Sequence, residues 1–144
     1  MSNFDLGLSH VALPVTDLDA SIAFYRRFTR LEVVHRRSGD DGTEVAWLSD
    51  LSRPFALVLI QRSAGAGQGR LGGWAHLGFG CVSNDDVDRR LAEAVEAGHS
   101  IIGPCDDGDP VGYWGIIVDP DGHNVELSFG QRVGAAVRSL VEDR

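Results

Sequence analysis

The stretch His10-Val11-Ala12-Leu13-Pro14-Val15-Thr16-Asp17 has a counterpart in His76-Leu77-Gly78-Phe79-Gly80-Cys81-Val82-Ser83, 66 residues further along. Each opens with an imidazole on an apolar strand and ends on a residue suited to cap a helix. A plan repeated at that interval, with a His at the same point each time, predicts two fused modules sharing one central site.

Reading outward from the first copy, Leu6 to Val15 is a strand, and Asp17 caps a helix over Leu18 to Phe28 whose Ile22, Tyr25 and Phe28 recur at helical spacing. Strands follow at Leu31 to Arg36, Thr43 to Leu48 and Phe55 to Gln61, which gives the order β-α-β-β-β over residues 6–61. Residues 62–73 are glycine-rich and form a connection. From the second copy the order recurs over residues 74–130. A strand spans Trp74 to Val82, and a helix starts at Ser83 with Asp86 in capping-box-like spacing and Val87, Leu91, Ala94 and Val95 as its inner stripe. Gly98 ends that helix. Strands over Ser100 to Cys105, Tyr113 to Val118 and His123 to Phe129 follow, the last two joined by the turn Asp119-Pro120-Asp121-Gly122. A C-terminal helix occupies residues 131–143, with Val133, Val137, Leu140 and Val141 as an apolar stripe against the body or a second subunit.

The chain has 144 residues, 43% hydrophobic and 24% charged, which suits one packed domain. Its longest strongly apolar run, Phe55 to Ile60, falls far short of the roughly 20 residues that cross a bilayer, and the first residues lack a secretion signal, so no membrane partner and a cytoplasmic location are expected. A net charge of −8 without a basic stripe excludes nucleic acid as a partner. Cys81 and Cys105 read as reduced core thiols.

Strand alternation then separates the faces. His10 shares a face with Ala12 and Pro14, His76 with Gly78 and Gly80, and Glu126 with Asn124 and Ser128, while apolar residues occupy the opposite faces. Small or polar neighbours leave room for an ion and a substrate. Two imidazoles and one carboxylate make the open facial triad that favours Fe(II) and would also take Mn(II), Ni(II), Co(II) or Zn(II). The competing reading makes each His a hydrogen-bonded core residue and Glu126 a solvated strand residue; the repeat and the matched faces weigh against it. His35, His99 and His123 stand outside the repeat and are expected at the surface or in turns.

These residues resemble the vicinal oxygen chelate superfamily, which groups glyoxalase I, extradiol dioxygenases, and fosfomycin- and bleomycin-resistance proteins. The resemblance runs from Leu8 to Phe129. It is carried by Leu8-Ser9-His10-Val11-Ala12-Leu13-Pro14-Val15 with Ser21-Ile22-Ala23-Phe24-Tyr25, and by Asp119-Pro120-Asp121-Gly122-His123-Asn124-Val125-Glu126-Leu127. It implies an α+β fold of two βαβββ modules forming a curved eight-stranded mixed sheet around a cleft, a homodimer, and a metal on His10, His76 and Glu126. Where glyoxalase I places a fourth ligand, this chain has Val58, with Ala56 and Ile60 beside it and Gln61 as the alternative oxygen. Where the dioxygenases place a Tyr, it has Ile116, with Tyr113 nearby as a candidate acid.

The expected function is that of a divalent-metal enzyme acting on a small aromatic or hydrophobic oxygen-chelating substrate, in a pocket of Trp47, Ala56, Val58, Ile60, Trp114 and Ile116. Extradiol dioxygenase chemistry comes first and a glyoxalase-like lyase or isomerase second, with an antibiotic-binding protein without catalysis as the rival class.

Overall fold

In the computed structural model, which describes residues 7–62 and 69–143, the chain forms two compact units, Met1–Arg70 and Leu71–Arg144. The first holds β1 (His10–Pro14), α1 (Leu18–Phe28), β2 (Glu32–Ser38), β3 (Glu44–Ser49) and β4 (Ala56–Gln61). The second holds β5 (Leu77–Gly80), α2 (Asn84–Glu96), β6 (Ile101–Asp106), β7 (Tyr113–Val118), β8 (Asn124–Phe129) and a trailing α3 (Val133–Glu142). Each unit is the expected βαβββ module of an α+β fold, built on a four-stranded mixed sheet. The strand orders are β1-β4-β3-β2 and β5-β8-β7-β6, and the first strand of each module lies parallel to its last.

The parallel pair requires a crossover, which the helix supplies. Asp17 caps α1 by accepting the Ala20 N–H at 3.0 Å, and Gln61 Oε1 accepts the Leu18 N–H at 2.7 Å. Two of the four orphan donors at that helix end are thereby satisfied. Leu18, Ser21, Phe24, Tyr25 and Phe28 are buried, whereas Ile22 lies at the margin of the stripe. Beneath α1, the sheet contributes Ala46, Leu48, Leu57 and Leu59, all buried. In the second unit Val87, Leu91 and Ala94 face β7, but Val95 is 53% exposed and lies outside the predicted stripe. Gly98, at φ +89°, turns the chain out of α2 as the Gly98 and His99 N–H groups bond back to Val95 and Ala94.

Two expectations need correction. The strand around His76 is shorter than predicted, because residues before Leu77 are drawn into a turn: the Ala75 N–H bonds Gly72 O, and Asn124 bonds both Leu71 O and Gly73 O. His76 therefore precedes β5. His123 is not a surface residue; it is 1% exposed and its Nδ1 accepts the Leu71 N–H at 3.0 Å, which fastens the incoming segment to β8. The Leu6 end of the predicted first strand lies outside the described residues. None of the described α3 residues is buried, so its apolar stripe stands exposed. Among the described residues, no helix is long and apolar enough to cross a membrane.

The start of α2 shows why Asp86 is buried. Ser83 Oγ accepts the Asp86 N–H, and Asp86 returns a bond one residue earlier than in a standard box, to the Val82 N–H at 3.2 Å. Arg89 and Arg90 reach the same carboxylate at 2.7 and 3.0 Å. Burial pushes the Asp86 carboxyl up, but the Arg90 hydrogen bond, the Val82 N–H, the Arg90 charge and the Arg89 hydrogen bond outweigh it and hold the group below 3.8. A depressed folded-state value stabilises the fold above the ordinary pKa, and that stabilisation is lost as pH falls through the folded value. Asp86→Asn is expected to cost about 1–3 kcal/mol at pH 7. In thermal melts the deficit against wild type should shrink below pH 3.8; a constant deficit would mean that the carboxylate charge is not the stabilising feature.

Candidate metal centre and substrate cavity

On the face of the first sheet opposite α1, the register sets Ala12, Val58, Trp47 and His35 in one row across the four strands. A bulge between Val33 and His35 inserts Val34 as an extra residue and turns it toward this face. A cavity of about 400 Å³ opens there, lined by Ser9, His10, Val34, Trp47, Ser49, Arg53, Pro54, Phe55, Ala56 and Val58. Its wall is apolar except for Ser9, His10, Ser49 and Arg53. Trp47 packs against His35 with ring centroids 4.6 Å apart. Ile60 shares the face but stands beyond the cavity, paired with Pro14 and Val45. Ser9 Oγ lies 2.9 Å from His10 Nδ1, which fixes that ring through one nitrogen and leaves Nε2 for a ligand.

The second unit brings His76 and Glu126 together. Nδ1 of His76 is 2.7 Å from the carbonyl oxygen of Trp74. A carbonyl only accepts, so Nδ1 carries a hydrogen and Nε2 is the nitrogen left for Glu126. That nitrogen points at Glu126 Oε2, 3.3 Å away. Glu126 is 8% exposed, and its other oxygen accepts from Gln131 Nε2 at 3.1 Å. The carboxylate is buried while the imidazole is exposed, and a positive charge at Nε2, from a proton or a metal ion, would stabilise the pair. The Trp74 carbonyl orients the His76 ring and the Gln131 amide orients the Glu126 carboxylate. Among the described residues, no three His, Cys, Asp or Glu side chains form a group that could hold a metal.

The register also shows how the modules differ. Ala12, two residues after His10, pairs with Val58; Gly78, two residues after His76, pairs with Glu126. Val58 therefore holds in the first sheet the position that Glu126 holds in the second. Beside Glu126, a Cβ built on Gly78 would meet nothing within 4 Å, so the small residue leaves open space there. On its other flank Glu126 pairs with Ile116, and Trp114 follows on the same face with its indole donating to Asp107 at 2.8 Å.

Gln61 is not free to act as a ligand oxygen, because its amide oxygen caps α1 on the opposite face. Tyr113 also points away. On β7 it alternates with Ile116's face, and its hydroxyl donates to Asp88 of α2, whose carboxylate pushes the phenol up to about 12. Sequence reasoning missed Arg53 and Gln131. Both lie just outside strands, where periodicity carries no signal. Tyr113→Phe is expected to leave the thermal midpoint nearly unchanged, since the bond it removes is exposed, and to leave the metal content per chain unchanged; loss of metal in this variant would return Tyr113 to the site.

Comparison with known proteins gives a consistent result. Residues 7–127 match the family described as Glyoxalase/Bleomycin resistance protein/Dioxygenase superfamily. Protein PA2024 of Pseudomonas aeruginosa is 35% identical over 134 residues, 92% of this chain and 95% of that one. A glyoxylase/bleomycin resistance protein/dioxygenase domain from Frankia sp. superposes with a TM-score of 0.66 at 29% identity, covering 87% and 98% of the two chains. A variant of the fosfomycin resistance protein FosX from Listeria monocytogenes, complexed with Mn(II) and 1S,2S-dihydroxypropylphosphonic acid, shares the fold with a TM-score of 0.69 at 20% identity, covering 91% and 97%.

Proposed function

This chain belongs to the glyoxalase/bleomycin resistance protein/dioxygenase superfamily, and from that premise we propose that it is a divalent-metal enzyme whose ion is held by His10, His76 and Glu126. The observation that carries the proposal is the His76–Glu126 pair, with one imidazole nitrogen committed to the Trp74 carbonyl and the other aimed at a buried carboxylate. Bound there, a divalent ion supplies Lewis acidity toward vicinal substrate oxygens and, as Fe(II), electrons for dioxygen activation. Mn(II), the ion in the FosX complex, and Ni(II), Co(II) or Zn(II) suit the same donors.

Trp47, Ala56 and Val58 on one sheet, with Trp114 and Ile116 on the other, are assigned to substrate binding, and Ile60, which stands beyond the cavity, is not. An apolar wall with an indole suits a small aromatic diol, and extradiol cleavage is the reaction we place first. A glyoxalase-like isomerisation that uses a second carboxylate comes next, because Ala56, Val58 and Ile60 leave that face of β4 without one. Non-catalytic sequestration of a planar compound is the rival, favoured by a cavity lining whose sole acid–base side chain besides Arg53 is His10. A homodimer, with the exposed stripe of α3 available to a second copy, and a cytoplasmic setting belong to the same proposal.

Anaerobic loading with Fe(II) followed by elemental analysis tests it. Wild type and His99→Ala should retain about one ion per chain, whereas His76→Ala should lose retention about tenfold or more. Equal retention in the two variants, or none in wild type, contradicts the assignment. Oxygen uptake with a panel of catechols, beside a 2-oxoaldehyde–thiol assay, then separates dioxygenase from isomerase.

A further inference from the structure

The chain carries a net charge of −8, yet no Asp or Glu lines the cavity of the first unit, and its one permanently charged lining residue is Arg53. The 49–55 loop holds that residue in place. Leu51 sits at φ +61°, a conformation that costs a branched side chain energy and persists where surrounding bonds enforce it. Those bonds are present: Ser49 Oγ accepts the Leu51 N–H at 3.0 Å, Asp50 Oδ1 accepts both the N–H and the hydroxyl of Ser52, and the Arg53 carbonyl accepts the Phe55 N–H at 2.8 Å. Ser52 Oγ, 3.4 Å from Arg53 Nε, takes the inner edge of the guanidinium. The Arg53 charge acts on the nearby Asp50 carboxylate, but none of the ion pairs closer than 4.0 Å among the described residues takes its two terminal nitrogens, which form the fork that matches a planar carboxylate.

We propose that Arg53 is a specificity-determining residue that binds a carboxylate on the substrate, so that the ligand class is a small apolar or aromatic molecule bearing one carboxylate group. The apolar body lies along Trp47, Phe55 and Val58, and the anion reaches the loop. Arg53 is the one permanently cationic side chain of the lining, and a single guanidinium balances the charge of one carboxylate. This inference rests on the cavity being the substrate site of the enzyme proposed above.

The test is calorimetric titration of the full-length protein with phenylacetate, its neutral isostere phenylacetamide and benzylphosphonate, at low salt, with metal content measured on the same samples. Wild type should bind phenylacetate about tenfold or more tighter than phenylacetamide. Arg53→Gln should bring the two within about twofold while leaving phenylacetamide unchanged, and Arg53→Lys, which keeps the charge and loses the fork, should fall between. Equal or undetectable binding of the first two probes to wild type, a parallel loss of both in Arg53→Gln, or tighter binding of benzylphosphonate overturns the inference. Metal retained without a carboxylate preference defeats this inference alone; a carboxylate preference without metal defeats the metal assignment alone.

Discussion

The parallel pairing of each module's first strand with its last is the constraint on which the rest depends. Hydrogen bonding of β1 to β4 and of β5 to β8 forces the chain to cross over through a helix, and the helix covers one face of the sheet and fills the core. The other face is left to side chains that the core does not need. The closing strand is flanked on both sides, and in the second sheet it is also the most buried one. That is how a carboxylate such as Glu126 comes to be buried within hydrogen-bonding reach of the His that leads into the first strand.

Duplication of this unit has produced equivalent frames with unequal contents. At matched register positions one sheet presents Val58 and the other Glu126. The first module contributes an imidazole and an apolar cavity, the second an imidazole, a carboxylate and the amide that orients it. A hydrophobic substituent at Val58 removes a charge that would otherwise need a counter-ion, and it turns the same space into a wall against which an organic ligand gains contact area.

Much of this was legible in the sequence, and the boundary of legibility is physical. The helix over Leu18–Phe28, the strand over Tyr113–Val118 and the assignment of faces follow from side-chain period, which the backbone enforces residue by residue. What escaped depends on single hydrogen bonds between segments distant in sequence. His123 is buried because Leu71 needs an acceptor, Gln61 is withdrawn because α1 needs a cap, and Tyr113 faces α2 because Asp88 lies there. Arg53 and Gln131 lie outside any periodic element, and their roles emerge only from where the loop and the end of β8 carry them.

The central claim is that one His from each module and a single carboxylate hold a shared ion. X-ray absorption spectroscopy of the Fe(II)-loaded protein measures this most directly through the multiple-scattering signature of coordinated imidazole. The account predicts two imidazoles per metal in wild type, and one in each of His10→Ala and His76→Ala. The absence of imidazole scattering, or the same number in all three proteins, would contradict it.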